Sequence, residues 1–135
     1  MFSARLRRQD GFIREILWVA LAIAVVAVVL LDAMALFNAH QSVHDNASTA
    51  ANAARDEYAQ TTNAAQAEAV ANQSLVKSGD KLIKFSTSRG LDANLVFTVE
   101  AQGHADTYAF HYLSSLGLKK WVNTISNPTA AESSN

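Results

Sequence analysis

The sequence of 135 residues predicts an α+β protein. A long N-terminal transmembrane helix would continue into an Ala-rich extracytoplasmic helix, and a small antiparallel β-sheet domain would follow at the C-terminus. Three observations predict this class. Residues 16–31 are all apolar, residues 38–76 are rich in Ala and polar residues without Gly or Pro, and short runs of β-branched and aromatic residues follow residue 94.

The membrane span is predicted from length and charge. The apolar run resumes after Asp32, so residues 16–37 would form roughly 33 Å of helix at about 1.5 Å per residue. This length matches the hydrocarbon core of a bilayer, about 30 Å, and exceeds the apolar region of a secretory signal peptide. Residues 1–15 carry four arginines, and the next basic residue is Arg55. Positive charge marks the cytoplasmic end of a span, so we expect a single-pass protein of the cytoplasmic membrane with a basic leader inside, at residues 1–15.

Residues 38–76 predict a long helix outside the membrane. Ala and Gln favour helix, and apolar side chains recur every three or four positions. This stripe contains Val43, Ala47, Ala51, Ala54, Tyr58, Ala65, Ala69 and Val76. Small side chains bury little area each, so such a helix needs a partner surface for stability.

Residues 77–127 predict a small α+β domain. Asp80 would cap a short helix over residues 80–88, and Gly90 would end it. Strands are expected at residues 95–101, 107–112 and 121–125, because these runs are β-branched and aromatic. Residues 128–135 are polar and predict a disordered tail.

The most aromatic part of the chain lies in this domain. Its apolar residues are Tyr108, Phe110, Tyr112, Leu113, Leu116, Leu118 and Trp121, next to Lys119 and Lys120. The favoured interpretation is that they build the domain core. The alternative is that they contact the membrane surface or a neighbouring subunit.

Several function classes are disfavoured. The chain has no cysteine, which excludes a disulfide framework, thiol catalysis and a Cys-ligated metal. Ser114 and Ser115 near His111 lack a nucleophile elbow and an acidic partner, so no catalytic residue is predicted. The basic leader is too small to indicate nucleic-acid binding. We therefore expect neither an enzyme nor a cofactor.

Two histidines have helix-face spacing. His40 and His44 are four residues apart, with Asp45 adjacent. Zinc requires three or four such ligands, and no further ligand shares their spacing. No metal site is predicted, and the pair is interpreted as polar residues at the membrane surface.

The N-terminal plan resembles that of type IV pilin-like proteins: a basic leader, then Gly11-Phe12, an acidic residue and a membrane helix. The segment "LLDAMALFNAHQSVHDNASTAANAA" at residues 30–54 is similar to the TadE/TadG-like minor pseudopilins of tight-adherence (Flp-type) pilus systems. The order of the C-terminal runs also resembles that of small actinobacterial TadE-like proteins. The likeness covers most of the chain and depends on order and spacing.

The resemblance implies a structural subunit of a pilus-like filament or secretion system. It implies cleavage by a prepilin peptidase between Gly11 and Phe12, and an assembly role for Glu15; the alternative is that Glu15 pairs with Arg14 or with lipid headgroups. Asp32 would either have an assembly role in helix packing or be tolerated because its side chain reaches water or headgroups near the outer end of the span. Partners of the subunit would be membrane lipid and other pilin-like or pilus-assembly subunits, including further copies of itself. Helix packing would use small residues in the span and beyond it: Ala20, Ala24, Ala27, Ala47, Ala51 and Ala54, with Tyr58.

One spacing departs from the family. The assembly glutamate is usually the fifth mature residue, but cleavage after Gly11 makes Glu15 the fourth. One residue along a helix rotates a side chain by about 100°. Two explanations therefore stay open: a processed pseudopilin, or an uncleaved single-span scaffold or binding protein of the cell envelope.

Overall fold

The computed structural model describes residues 3–134, with side chains described from Gly11 onward. The elements are α1 (Ser3–Thr61), α2 (Ala64–Lys77), β1 (Lys81–Arg89), β2 (Leu95–Gln102), α3 (Ala109–Leu113), a wide helical turn (Ser114–Leu118), α4 (Lys119–Ser126) and β3 (Thr129–Ser133). The predicted α+β class is confirmed. The charged side chains of the leader at positions 5, 7, 8 and 10 lie outside the described ones.

Helix α1 dominates the molecule. Its 59 residues form a rod of roughly 88 Å at about 1.5 Å per residue. Every described side chain from Gly11 to Leu31 is exposed. Among the described residues, α1 is the one helix long and apolar enough to cross a membrane, and only 6% of its most apolar window is buried. The rest of the chain packs on its outer part, from Asp32 onward.

The helix predicted to run through residues 38–76 is broken, and this corrects the sequence analysis. Thr62 adopts a left-handed conformation with φ of 51°. The Asn63 side chain then caps α2 by accepting from two backbone N–H groups of its first turn. α2 runs back along α1, so that Asn46 donates to the carboxyl group of Asp80 at 2.7 Å. The predicted single helix is therefore a helical hairpin.

Small side chains form the interface of this hairpin. The buried residues are Val43, Ala47, Ala50, Ala51 and Ala54 of α1, and Ala67, Ala71 and Leu75 of α2. In contrast, Ala65, Ala69 and Val76 of the predicted stripe are exposed. Because the chain reverses at Thr62, the phase of the stripe in α1 does not carry over into α2.

The sheet has the order β1-β2-β3, and both pairs are antiparallel. The central strand β2 corresponds to the predicted strand 95–101. It alternates, with Phe97, Val99 and Ala101 buried against the helices. The ring of Phe97 lies 5.3 Å from that of Tyr58 on α1, between ring centroids. The sheet therefore closes the core on the outer part of α1.

The helix predicted at residues 80–88 is wrong, because this segment is β1. A register irregularity between Leu82 and Lys84 inserts an extra residue in the pairing with β2. Leu82 and Phe85 consequently both pack against the core although they are three residues apart. The bulge therefore places two core-facing residues three positions apart, which is also the spacing of residues on one face of a helix.

The disordered tail predicted for residues 128–135 is also wrong, since most of it forms β3. Ala130 is only 4% exposed. Ser134 donates its backbone N–H to the carbonyl of Phe97 at 2.8 Å, and its hydroxyl accepts from the N–H of Phe97 at 3.0 Å. The second edge of β2 needed a partner for its backbone groups, and this polar segment provides it.

The strands predicted at residues 107–112 and 121–125 are wrong as well. The first segment overlaps α3 and the second lies within α4. Hydrogen bonds to Asp32, which is distant in sequence, stabilise the short helix α3. Intrinsic β propensity is weak compared with such tertiary contacts.

The small-residue core predicts a sharp sensitivity to side-chain size. Ala50 is fully buried, so Ala50→Leu should lower the free energy of unfolding by about 1–3 kcal/mol through overpacking. The matched control is Ala69→Leu, at an exposed position of α2, which should change it by less than about 0.5 kcal/mol. Denaturant unfolding in detergent, followed by circular dichroism, measures both. Equal effects would contradict the packing of this face.

The C-terminal strand gives a second prediction. A chain ending at Pro128 loses β3, the buried Ala130 and both hydrogen bonds of Ser134. With each net hydrogen bond contributing about 1 kcal/mol, we expect a loss of about 3 kcal/mol or more. The truncated protein should also aggregate through the bare edge of β2. An unchanged melting temperature would show that the tail does not belong to the fold.

Candidate functional site

Asp32 is the one ionisable residue between Glu15 and His40, and it is completely buried. Its two carboxyl oxygens accept from the backbone N–H groups of Tyr108, at 2.7 Å, and Phe110, at 2.9 Å. An ionisable group in an apolar segment is costly unless it is paired. Here the partners are peptide groups 76 and 78 residues further along the chain.

This contact explains why residues 109–113 are helical. The first N–H groups of a helix have no partner within the helix, and Tyr108 at the N-cap makes no side-chain capping bond. Asp32 supplies the missing acceptor from α1. A carboxylate is also favoured by the positive end of a helix. Capping from another helix thus overrides the β propensity of the aromatic segment.

Residues 108–126 form a compact unit, which we call the aromatic arm. α3 enters the wide turn, Gly117 reverses the chain with φ of 91°, and α4 returns. Phe110 and Trp121 hold the two helices together through an edge-to-face contact, with centroids 5.9 Å apart. The hydroxyls of Ser114 and Ser115 donate to the backbone carbonyls of His111 and Tyr112, each at 2.6 Å.

The arm does not supply the domain core, and that sequence-based interpretation is wrong. The buried cluster consists of residues from α1, α2, β2 and β3. Large side chains of the arm instead point outward. The exposed ones are Tyr108 (71%), Tyr112 (74%), Leu116 (75%), Leu118 (48%) and Trp121 (50%). The alternative, that they contact a membrane or a neighbouring subunit, stays a prediction.

A groove separates the arm from the apolar part of α1. It has a volume of about 490 Å³ and an entirely apolar lining. Val25, Val28 and Leu31 line it from α1, and Tyr108 and Tyr112 line it from the arm. The exposed surface of the arm is therefore continuous with the apolar surface of α1.

The remaining predicted site residues fall into two groups. Gly11, Phe12 and Glu15, near the start of the described side chains, are exposed, as are Ala20 and Ala27. Ala24 is exposed and lines the groove beside the arm. The other group lies in the domain core, where Ala47, Ala51 and Ala54 are buried and Tyr58 packs on the cluster.

The histidine pair lies beside the end of the sheet. The rings of His40 and His44 make an edge-to-face contact at 4.9 Å, and His44 Nδ1 lies 2.6 Å from Glu132 Oε1 of β3. Among the described residues, no group of three or more His, Asp or Glu side chains is arranged to hold a metal ion. The contact between His44 and Glu132 links β3 to α1. Glu132 was missed as the partner of His44 because the tail was expected to be disordered.

No family model, curated protein or solved structure matches the chain.

The buried carboxyl group predicts a specific cost of substitution. Asp32→Asn keeps the size but turns one acceptor into an NH₂ group facing a backbone N–H. This should lower the free energy of unfolding by about 1–3 kcal/mol. Asp45→Asn, at an exposed position of the same helix, is the matched control and should change it by less than about 0.5 kcal/mol. Denaturant unfolding in detergent measures both, and equal stability of the two variants would show that Asp32 does not hold the arm.

Proposed function

We propose that this protein is a non-enzymatic structural subunit anchored in the cytoplasmic membrane by the inner part of α1. The N-terminus would lie in the cytoplasm and the folded domain outside. Its role would be that of a minor pseudopilin-like subunit in a tight-adherence or related type IV pilus-like filament or secretion system. Membrane lipid, other pilin-like or pilus-assembly subunits and further copies of the chain would be its partners.

One observation carries the proposal: a single helix has an exposed apolar segment and, further along, contributes to the core of the domain. From Gly11 to Leu31 the side chains of α1 are exposed, whereas Val43 and Ala54 of the same helix are fully buried. Because no break separates the two parts, the orientation of the helix determines that of the domain. Such rigid coupling suits a subunit whose position is set by neighbouring helices.

The exposed small residues support lateral association. In lipid, small side chains let helix backbones approach closely, and packing rather than the hydrophobic effect drives association. Ala20 and Ala27 are exposed on α1. They are the surfaces we assign to contact with another helix, first within the membrane and then in a filament.

The spacing of Glu15 favours a second candidate, the uncleaved envelope scaffold. In a processed chain beginning at Phe12, Glu15 would be the fourth residue, and the rotation of about 100° per residue would turn its carboxylate away from the family's position. An uncleaved anchor needs no such carboxylate. The two candidates differ in covalent structure: the scaffold would retain residues 1–11, and the processed pseudopilin would lack them.

The test is the intact mass and N-terminal sequence of the protein isolated from its native membrane. A pseudopilin subunit should remain in the membrane pellet after carbonate extraction and begin at Phe12, since a peptidase would have removed residues 1–11. A membrane-bound chain that retains these residues would overturn the pseudopilin role and favour the scaffold. Recovery in the carbonate supernatant would contradict anchoring altogether.

Gly11→Leu provides the control. A side chain at this position meets no atom within 4 Å, so the substitution should leave the fold and the melting temperature unchanged. If Gly11 precedes the cut, the variant should keep its leader in the same cells. Normal processing of the variant would place the cut elsewhere.

A further inference from the structure

We propose that the aromatic arm, residues 108–126, inserts into the outer leaflet of the membrane beside α1, so that lipid covers its exposed apolar side chains. This inference rests on the proposed membrane anchoring and adds a second, monotopic contact with the bilayer. The ligand is lipid at the boundary between acyl chains and headgroups.

The position of the arm along α1 supports lipid as the occupant. Apolar residues of α1 continue beyond Asp32, and Met34 and Phe37 are 63% and 68% exposed. A hydrocarbon core of about 30 Å placed on the exposed residues 11–31 of α1 ends near Leu31, so the groove residue Val25 lies roughly 9 Å inside it, at about 1.5 Å per residue. A bilayer that covers this part of α1 therefore also surrounds α3.

The chemistry of the arm fits an interfacial depth. Tyr and Trp prefer the boundary between headgroups and acyl chains, and Tyr108, Tyr112 and Trp121 are all at least half exposed. Leu116 at the tip is 75% exposed. Lys119 and Lys120 are exposed beside it, where long side chains can extend their ammonium groups to lipid phosphates.

Backbone N–H and C=O groups of the arm that would otherwise need water have hydrogen-bond partners within the protein. Polar backbone groups in lipid need partners within the protein. Asp32 accepts two N–H groups at the start of α3, and serine hydroxyls donate to two carbonyls near its end. Thr124 and Asn127 donate to carbonyls of α4 at 2.9 Å and 2.8 Å.

The opposite end of the domain provides an internal contrast. Leu91, in the turn between β1 and β2, is fully exposed. It lies beside Tyr58 at the far end of α1, 26 residues beyond Asp32, or roughly 39 Å at about 1.5 Å per residue. Leu91 and Leu116 are thus two exposed leucines that differ in their distance from the proposed membrane.

The absence of cysteine from the chain allows a direct test. Leu116→Cys and Leu91→Cys are prepared in full-length protein, reconstituted in phosphatidylethanolamine–phosphatidylglycerol vesicles and treated with a membrane-impermeant maleimide. Both positions are exposed, so neither substitution should disturb folding. Labelling at position 116 should be at least about tenfold slower than at position 91, because apolar surroundings disfavour the reactive thiolate.

The two tryptophans separate this inference from the anchoring on which it rests. Trp121→Phe leaves Trp18 in the proposed span, and Trp18→Phe leaves Trp121 in the arm. In vesicles containing lipids brominated on the acyl chains, both remaining tryptophans should be quenched. Trp18 should be quenched most by bromine deep in the chains, and Trp121 by bromine near the headgroups.

Quenching of Trp18 with equal labelling at positions 91 and 116 would overturn insertion of the arm and leave the anchor intact. Protection of position 116 that disappears when the protein is diluted in lipid would identify a second copy as the cover, and would also overturn it. An unquenched Trp18 would show that α1 does not span the bilayer, and both proposals would fail. Undiminished protection on dilution, with both tryptophans quenched, supports the inserted arm.

Discussion

Packing on the outer part of α1 is the constraint on which the rest of the structure depends. β2 and β3 lie against this helix, α2 runs back along it, and β1 reaches it through α2 and β2. The interface between α1 and these elements consists mainly of alanines, which allow close approach of the backbones but bury little area each. Phe97, Leu75 and Val43 supply the larger buried side chains. A domain built this way depends on the continuity of one helix rather than on a large separate core.

Asp32 joins the apolar and the folded parts of α1. Its carboxyl group is excluded from solvent and has two backbone donors as partners. An acidic side chain at the edge of a span can be tolerated by reaching toward water, but here it turns inward to the N-terminus of α3. The same contact decides where the aromatic arm leaves the domain. As a result the arm lies beside the apolar segment of α1 and not in the core under the sheet.

The α+β class and the long apolar helix could be predicted from the sequence because both depend on local patterns. The strand β2 shows this most clearly, since its alternation of buried and half-buried residues matches its composition. The neighbouring strands could not be predicted in the same way. A bulge between Leu82 and Lys84 hid the period of β1, and β3 is a polar segment that is extended only because it pairs with the edge of β2.

The sequence by itself determined that α1 is long, apolar at its start and rich in small residues further on. Only the tertiary structure decided what those features contact. Thr62 reverses the chain and makes a hairpin of an expected single helix, and Asp32 turns an aromatic segment of high β propensity into α3. Both outcomes depend on contacts between residues distant in the chain. Local propensities amount to about 1 kcal/mol or less per residue, so a few such contacts outweigh them.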